Sequence, residues 1–427
     1  MVLGLPDGML GPAWPAMRAT FHAPIADLGL ILLVTTIGSV AVTAIVGRLI
    51  RRLGVPALLA AAGLCAALGA LAFALAPGLW LVLGITVLVG VAAGMMDGGL
   101  NTAVGLAGRP RLLNLLHAAY GVGTTIGPLL VTAAIITGSW RPAYAALAVF
   151  NVIMSALWVR QRRRDRRPAP APADPSRSPN PAYPTNPKNP RDPINPARPT
   201  PEDSTTPSNP TTPSNPASPS DPASPSVHPS EGWSRRRSSA AVIAGMLIFF
   251  VYTGVEVGAG QWEASYCRGH LGLSASAAGI ATFGYWASLT GVRILLALLP
   301  RPVPMVRVVR WGSALGAVGA ALIWWQPDRA VALGGFVLLG AALAGVFPAL
   351  IGLTPARIGR RHSEHAIAWQ VGAAAAGGSG LSALMGLLIG VAGLQILGPA
   401  LTLLAVLLII GNALLARVAP VVPDPGS

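Results

Sequence analysis

Apolar stretches about as long as a bilayer is thick recur along the chain, separated by short turns rich in glycine, proline and arginine. A helix needs about 20 mostly apolar residues to cross the hydrocarbon core. Stretches of that size lie at 28–47, 55–76, 79–104, 112–137, 140–159, 239–262, 274–299, 305–325, 330–353, 364–391 and 394–416. They predict an all-α membrane protein with eleven full spans. Residues 1–17 depart from the pattern, because prolines and glycines interrupt them and they are short for a span. They are expected to be the later part of a first helix that begins upstream of Met1.

Residues 161–237 have the opposite character. From Pro168 to Ser230 the chain is mostly Pro, Ser, Asn, Thr and Asp, with repeats such as Pro-Ser-Asn-Pro. Such a segment cannot bury enough apolar area to offset its ordering entropy. The expected organisation is an N-terminal six-helix bundle over 1–160 with a partial first helix, a disordered linker over 161–237, and a second six-helix bundle over 238–427.

Arginine placement supports that count. Clusters follow the second span (Arg48, Arg51, Arg52), the fourth (Arg109, Arg111), the sixth (Arg160, Arg162, Arg163, Arg164), the eighth (Arg301, Arg307, Arg310) and the tenth (Arg357, Arg360, Arg361). The alternate turns carry single arginines: Arg18, Arg141, Arg268 and Arg329. Short loops rich in Lys and Arg face the cytoplasm. The alternation holds only if residues 1–17 count as a span, and it then places both termini and the linker in the cytoplasm of a cell (plasma or inner) membrane.

Composition sharpens the class. Of 427 residues, 53% are hydrophobic and 11% are charged, and mean hydropathy is +0.60. A soluble domain carries about 25% charged residues. The acids are scarcer still in the spans, since seven of the 15 fall in 161–237. A net charge of +15 raises nucleic acid as a partner, but the arginines sit in membrane turns and not on one basic face. The partners expected are the lipid bilayer, a small-molecule solute and protons. No P-loop, nucleophile elbow or His/Cys metal spacing is present. The expectation is therefore a non-enzymatic protein without cofactors or metal, powered by a gradient. Cys65 and Cys267 are too few and too far apart to form a disulfide framework, and read as small apolar filler.

The two halves echo each other. Gly4, Asp7, Gly8 and Trp14 resemble Gly254, Glu256, Gly258 and Trp262, and Gly90, Gly94 and Asp97 resemble Gly340, Gly345 and Pro348. Parallel six-helix repeats place a solute site between the halves near the membrane midplane. The turn Gly47-Arg48-Leu49-Ile50-Arg51-Arg52-Leu53-Gly54 resembles the loop between helices 2 and 3 of the major facilitator superfamily, although the acidic residue usual before the first arginine is missing. Asp7, Asp97 and the run Leu113, Asn114, His117, Gly121 and Gly123 are similar to the fucose:proton symporter subgroup. That resemblance implies two rocking six-helix bundles, and roles in proton coupling and sugar binding for the two helix acids.

Several side chains stand out as candidates for such chemistry. Asp97 lies mid-span and shares a helical face with Gly90, Gly94 and Asn101; an acid at membrane depth is costly and usually faces a cavity. Asp7 is the natural second proton-coupling group. On the fifth span Asn114 and His117 share a polar face. On the seventh Tyr252, Glu256 and Glu263 share one, with Gln261 and Trp262 adjacent. Tyr252, Glu256, Gln261, Trp262, Asn101, Asn114 and His117 are the candidate solute-binding residues. Glu263 reads as an outer-interface marker. Tyr285, Trp286, Arg293, Trp369 and Gln370 read as structural, with Arg293 snorkelling from the end of its helix. The function expected is proton-coupled symport of a small polar solute such as a sugar by alternating access. The alternatives are a proton-driven exporter of an amphiphilic compound, a non-transporting membrane receptor on the same fold, and a facilitator without ion coupling.

Overall fold

The structure is a computed structural model that describes residues 3–106, 110–165, 235–301 and 303–420. Within that range the side chains of 103, 105, 106, 110–115, 117, 165, 235–238, 360–362 and 364 lie outside the description. The central stretch expected to be a linker also lies outside the described residues, apart from the helix ends that reach into it.

The helices in chain order are α1 (Gly4–Phe21), α2 (Asp27–Leu53), α3 (Val55–Leu75), α4 (Leu79–Leu106), α5 (Pro110–Ile136), α6 (Arg141–Asp165), α7 (Arg235–Gly269), α8 (Ala275–Leu298), α9 (Met305–Trp325), α10 (Arg329–Leu343), α11 (Val346–Ile358), α12 (Arg360–Ala392) and α13 (Leu397–Val418). No strand occurs among the described residues. Among the described residues eleven segments are long and apolar enough to cross a membrane, and they coincide with the eleven expected from hydropathy. Large aliphatic side chains point outward along them, among them Ile37, Leu68, Val149, Leu247 and Leu403. Water would not tolerate an apolar surface of that extent; acyl chains do.

The first segment is longer than expected. α1 has 18 residues, runs past Met17 to Phe21, and ends at His22 in a left-handed conformation. At 1.5 Å per residue that is about 27 Å, close to the thickness of the hydrocarbon core. Pro12 and Pro15 remain inside it. The Trp14 indole N–H donates to the Ile25 carbonyl at 3.0 Å, which folds the turn back onto the helix.

α10 and α11 are two parts of one span, Arg329–Ile358, interrupted at Ala344 and Gly345. Pro348 has no N–H to offer the Ala344 carbonyl four residues earlier. A bare carbonyl at membrane depth must find another donor. Here side chains of neighbouring helices supply it: Arg293 Nε donates to the Ala344 carbonyl at 2.9 Å, and the Tyr252 hydroxyl to the Leu343 carbonyl at 2.9 Å.

The helices pair in the same way in both halves. In the first half α1 packs on α5, α2 on α4, and α3 on α4 and α6. In the second α7 packs on α12, α8 on α10, and α9 on α10 and α13. Close crossings rely on missing side chains. A Cβ at Gly90 of α4 would lie 2.0 Å from the Thr35 carbonyl oxygen of α2, and one at Gly377 of α12 would lie 2.0 Å from the Phe250 carbonyl oxygen of α7.

The halves meet along α5 with α8, α2 with α12, and α1 with α7. Thr125 and Thr290 share a hydrogen bond of 3.1 Å midway along α5 and α8. Further contacts lie toward the end that carries the α1–α2 and α7–α8 turns. There the Thr36 hydroxyl meets that of Ser379, Gly29 packs on Ala383, and Gly279 on Thr132.

Candidate functional site

Where α1, α5, α7 and α8 converge, polar side chains from both halves come together. Asp7 sits one turn into α1, with its carboxylate exposed while Leu5 and Met9 on either side are buried. The Tyr120 hydroxyl of α5 donates to Asp7 Oδ2 at 2.7 Å. Gln261 of α7 reaches across from the second half, and its Nε2 donates to the Asp7 main-chain oxygen at 2.8 Å. Gly11 permits that approach, since a Cβ there would lie 2.7 Å from the Gln261 carbonyl oxygen.

The second-half side of the cluster centres on Glu256. The Tyr252 hydroxyl, one turn earlier on α7, donates to Glu256 Oε2 as well as to the Leu343 carbonyl. The Tyr285 hydroxyl of α8 donates to the Glu256 main-chain oxygen at 2.7 Å. Arg293 Nη2 lies 4.0 Å from Glu256 Oε2. Tyr120 lies within electrostatic reach of both Glu256 and Arg293, which links the two sides. The result is a carboxylate from each half, a guanidinium and three tyrosines around the seam. Such a set can move a proton and can hydrogen-bond a polar solute. Among the described residues no group of three or more His, Cys, Asp or Glu side chains could hold a metal ion.

The structure thus brings Asp7, Tyr252, Glu256 and Gln261 together. Asp97, Asn101 and Trp262 lie elsewhere. Asp97 is exposed on the second half of α4, where its Oδ1 accepts from Asn101 Nδ2 at 2.9 Å. Gly90 and Gly94 on its face bring α4 against the Thr35 and Ser39 carbonyls of α2. Asn101 spends both its bonds on Asp97, main chain and side chain. Trp262 is fully buried between α7 and α12, its indole N–H donating to the Ser382 carbonyl at 2.9 Å. The backbone of Asn114 and His117 belongs to α5, but their side chains lie outside the described residues.

Two residues at the seam were not legible as such from sequence. Tyr120 carries no motif, and its partner is 113 positions away. Arg293 was expected to snorkel toward the membrane surface; it turns inward instead, because Pro348 leaves a carbonyl there that needs a donor. The notch in the span opposite, at Gly345 and Pro348, is the sequence signal that would have found it. Trp369 is exposed, and Gln370 is buried, accepting from the Thr354 hydroxyl at 2.9 Å, so both stand away from the seam.

Two six-helix halves with matched pairing and a polar seam at membrane depth have the architecture of a membrane transporter. The Major Facilitator Superfamily profile matches residues 1–383. The chain belongs to that family. No curated protein matches its sequence. Among solved structures it is similar to a bacterial homolog of the human lysosomal transporter Spinster in an inward-facing and occupied conformation, at 12% identity and TM-score 0.62, covering 100% of this chain and 96% of that one. It is also similar to a mutant of the peptide transporter POT in complex with alafosfalin, at 12% identity and TM-score 0.66, covering 98% of this chain and 93% of that one.

Proposed function

We propose that the protein is a proton-coupled symporter of a small polar solute, such as a sugar, with Asp7 and Asp97 carrying protons and the seam between the halves holding the solute. The observation that carries this reading is the Asp7–Tyr120 bond at 2.7 Å, with Gln261 of the other half holding the same residue's carbonyl. A change of charge on Asp7 is thereby felt at a contact that must break or slide when the halves rock. Tyr252, Glu256 and Gln261 offer hydroxyl, carboxylate and amide groups to solute hydroxyls, and Asn101, Asn114 and His117 are the proposed solute-binding residues of the first half. The domain division at 1–160, 161–237 and 238–427 fits this scheme, with the linker and both termini on the cytoplasmic side of the plasma or inner membrane.

Arg293 favours a second reading of the cargo. A guanidinium pairs bidentately with carboxylate or phosphate, and this one is 23% exposed beside Glu256. A solute bearing its own acidic group, as a peptide does, would compete with Glu256 for it. Similarity in fold to a peptide transporter is compatible with that cargo.

Purified protein in proteoliposomes, given a panel of radiolabelled sugars and dipeptides with and without an inward proton gradient, tests both readings. The symport reading expects accumulation that collapses with the gradient, and expects Asp7→Asn and Asp97→Asn to lose accumulation while retaining solute binding. Undiminished accumulation by either variant removes that residue from the coupling role. Accumulation of dipeptides and not sugars selects the second cargo.

A further inference from the structure

Glu263 lies two turns beyond Glu256 on the same face of α7, toward the end where the halves are joined. It is 1% exposed, and neither of its carboxylate oxygens has a hydrogen-bond partner. Gly260, one turn earlier, lies under the ring of Trp286 and beside Tyr285 of α8. Tyr266, one turn later, packs on Phe336 of α10 and bonds to the Ile323 carbonyl of α9. Glu263 therefore points into the interior of the second half, between α8 and α10, and not toward lipid. The titratable groups within electrostatic reach of it are Cys267 on its own helix and Tyr285 on α8. Among the described residues α9 and α10 offer it no cation.

Magnitudes decide its state. A neutral acid buried without a partner costs about 1–3 kcal/mol; an ionised carboxylate costs far more unless it is paired. With no cation and no donor at hand, the carboxyl is tolerable here only with its proton on. A second unpaired group lies on the neighbouring helix: the Trp286 indole N–H, whose ring packs on Gly260, is buried without an acceptor and makes no bond to Glu263. An unpaired carboxyl and an unpaired donor in the same wall mark a place whose polar partners arrive when the wall moves.

We infer that Glu263 is a further proton-binding site of this protein, loaded while the α7–α8 end is joined and emptied when that end opens to water. On opening, the Glu263 O–H bond breaks and the proton passes to water, leaving a hydrated carboxylate; on closing, water returns the proton and is expelled. Tyr285 lies within reach of both Glu256 and Glu263, so the site stands beside the polar seam. The inference rests on the two halves alternating, but not on the identity of the cargo.

The test uses full-length protein in lipid vesicles without solute, so it is separate from the transport assay. Difference infrared spectra between wild type and Glu263→Gln at neutral pH are expected to show a protonated-carboxyl C=O band, slow to shift in heavy water, that the variant lacks. Thermal unfolding of wild type is expected to weaken as pH rises, because the sealed site favours the proton. Glu263→Gln, a neutral isostere, should fold and lose that pH slope, whereas Glu263→Ala lowers stability at every pH. Absence of the band, an unchanged slope in Glu263→Gln, or failure of the glutamine variant to fold where wild type folds would each overturn the assignment, since each means that the site does not hold a neutral acid. Undiminished accumulation by Asp7→Asn and Asp97→Asn, with the Glu263 band and slope present, would refute the proton role of those two residues without touching this one.

Discussion

Arg293 of α8 donates from Nε to the main-chain carbonyl of Ala344, 2.9 Å away, at the point where the tenth span is interrupted. One side chain thus serves two needs. Its Nε caps a carbonyl that Pro348 cannot serve, and its Nη2 sits 4.0 Å from the Glu256 carboxylate. A helix break that would be costly in lipid becomes a fixed polar corner at the seam.

Replacing Arg293 by Met should therefore cost more than its surface exposure indicates. A bare buried carbonyl costs about 1–3 kcal/mol, and a carboxylate stripped of its cation adds to that. Glu256 is 14% exposed and Arg293 is 23%, so water offsets part of the loss. The expected effect of Arg293→Met is a drop in melting temperature of several degrees. Glu256→Gln added to it should recover part of the drop, because the second change removes the orphaned charge and leaves only the carbonyl unserved. Purely additive losses in that double-mutant cycle would show that the pair is not coupled.

The spans were legible in the sequence because a hydrocarbon slab imposes a length and a composition on each helix, independent of what it packs against. All eleven apolar segments follow from that rule, and the six-helix repeat follows from matched glycines such as Gly90 and Gly340. The seam was only partly legible. Asp7, Tyr252, Glu256 and Gln261 stand out because polar groups are rare in apolar helices. Tyr120 does not, since a tyrosine in a span is ordinary and its role comes from a contact across 113 positions. Arg293 misled for a physical reason: near the end of a membrane helix a long cation normally reaches for water, and only the carbonyl of another helix draws it inward. Trp262 stood out as an aromatic beside polar groups, yet the α7–α12 crossing seals it.

Glycines in α4 offer a direct check on packing. At Gly90 a Cβ would meet the Thr35 carbonyl oxygen at 2.0 Å, and backbone cannot yield as a flexible side chain can. At Gly84, on the same helix, nothing lies within 4 Å. Gly90→Ala should force α2 and α4 apart, lowering the melting temperature or preventing recovery of folded protein from detergent. Gly84→Ala should leave stability unchanged or slightly raised, since alanine favours a helix over glycine by roughly 1 kcal/mol. Fluorescence-detected gel filtration of the two variants separates these outcomes; equal losses would mean that the α2–α4 crossing is looser than described.

The contact between the Thr36 and Ser379 hydroxyls joins α2 of one half to α12 of the other. If transport requires the halves to part at that end, tying the two positions together must stop it. Thr36→Cys with Ser379→Cys, in a Cys65→Ser background where the remaining Cys267 is buried, places two thiols where the hydroxyls now touch. Mild oxidation should cross-link them, abolish solute accumulation, and leave binding from the arginine-rich end intact; a reductant should restore transport. Either single variant should be insensitive to oxidant. Efficient cross-linking with full transport would mean that this end stays shut throughout the cycle and that solute passes by another route.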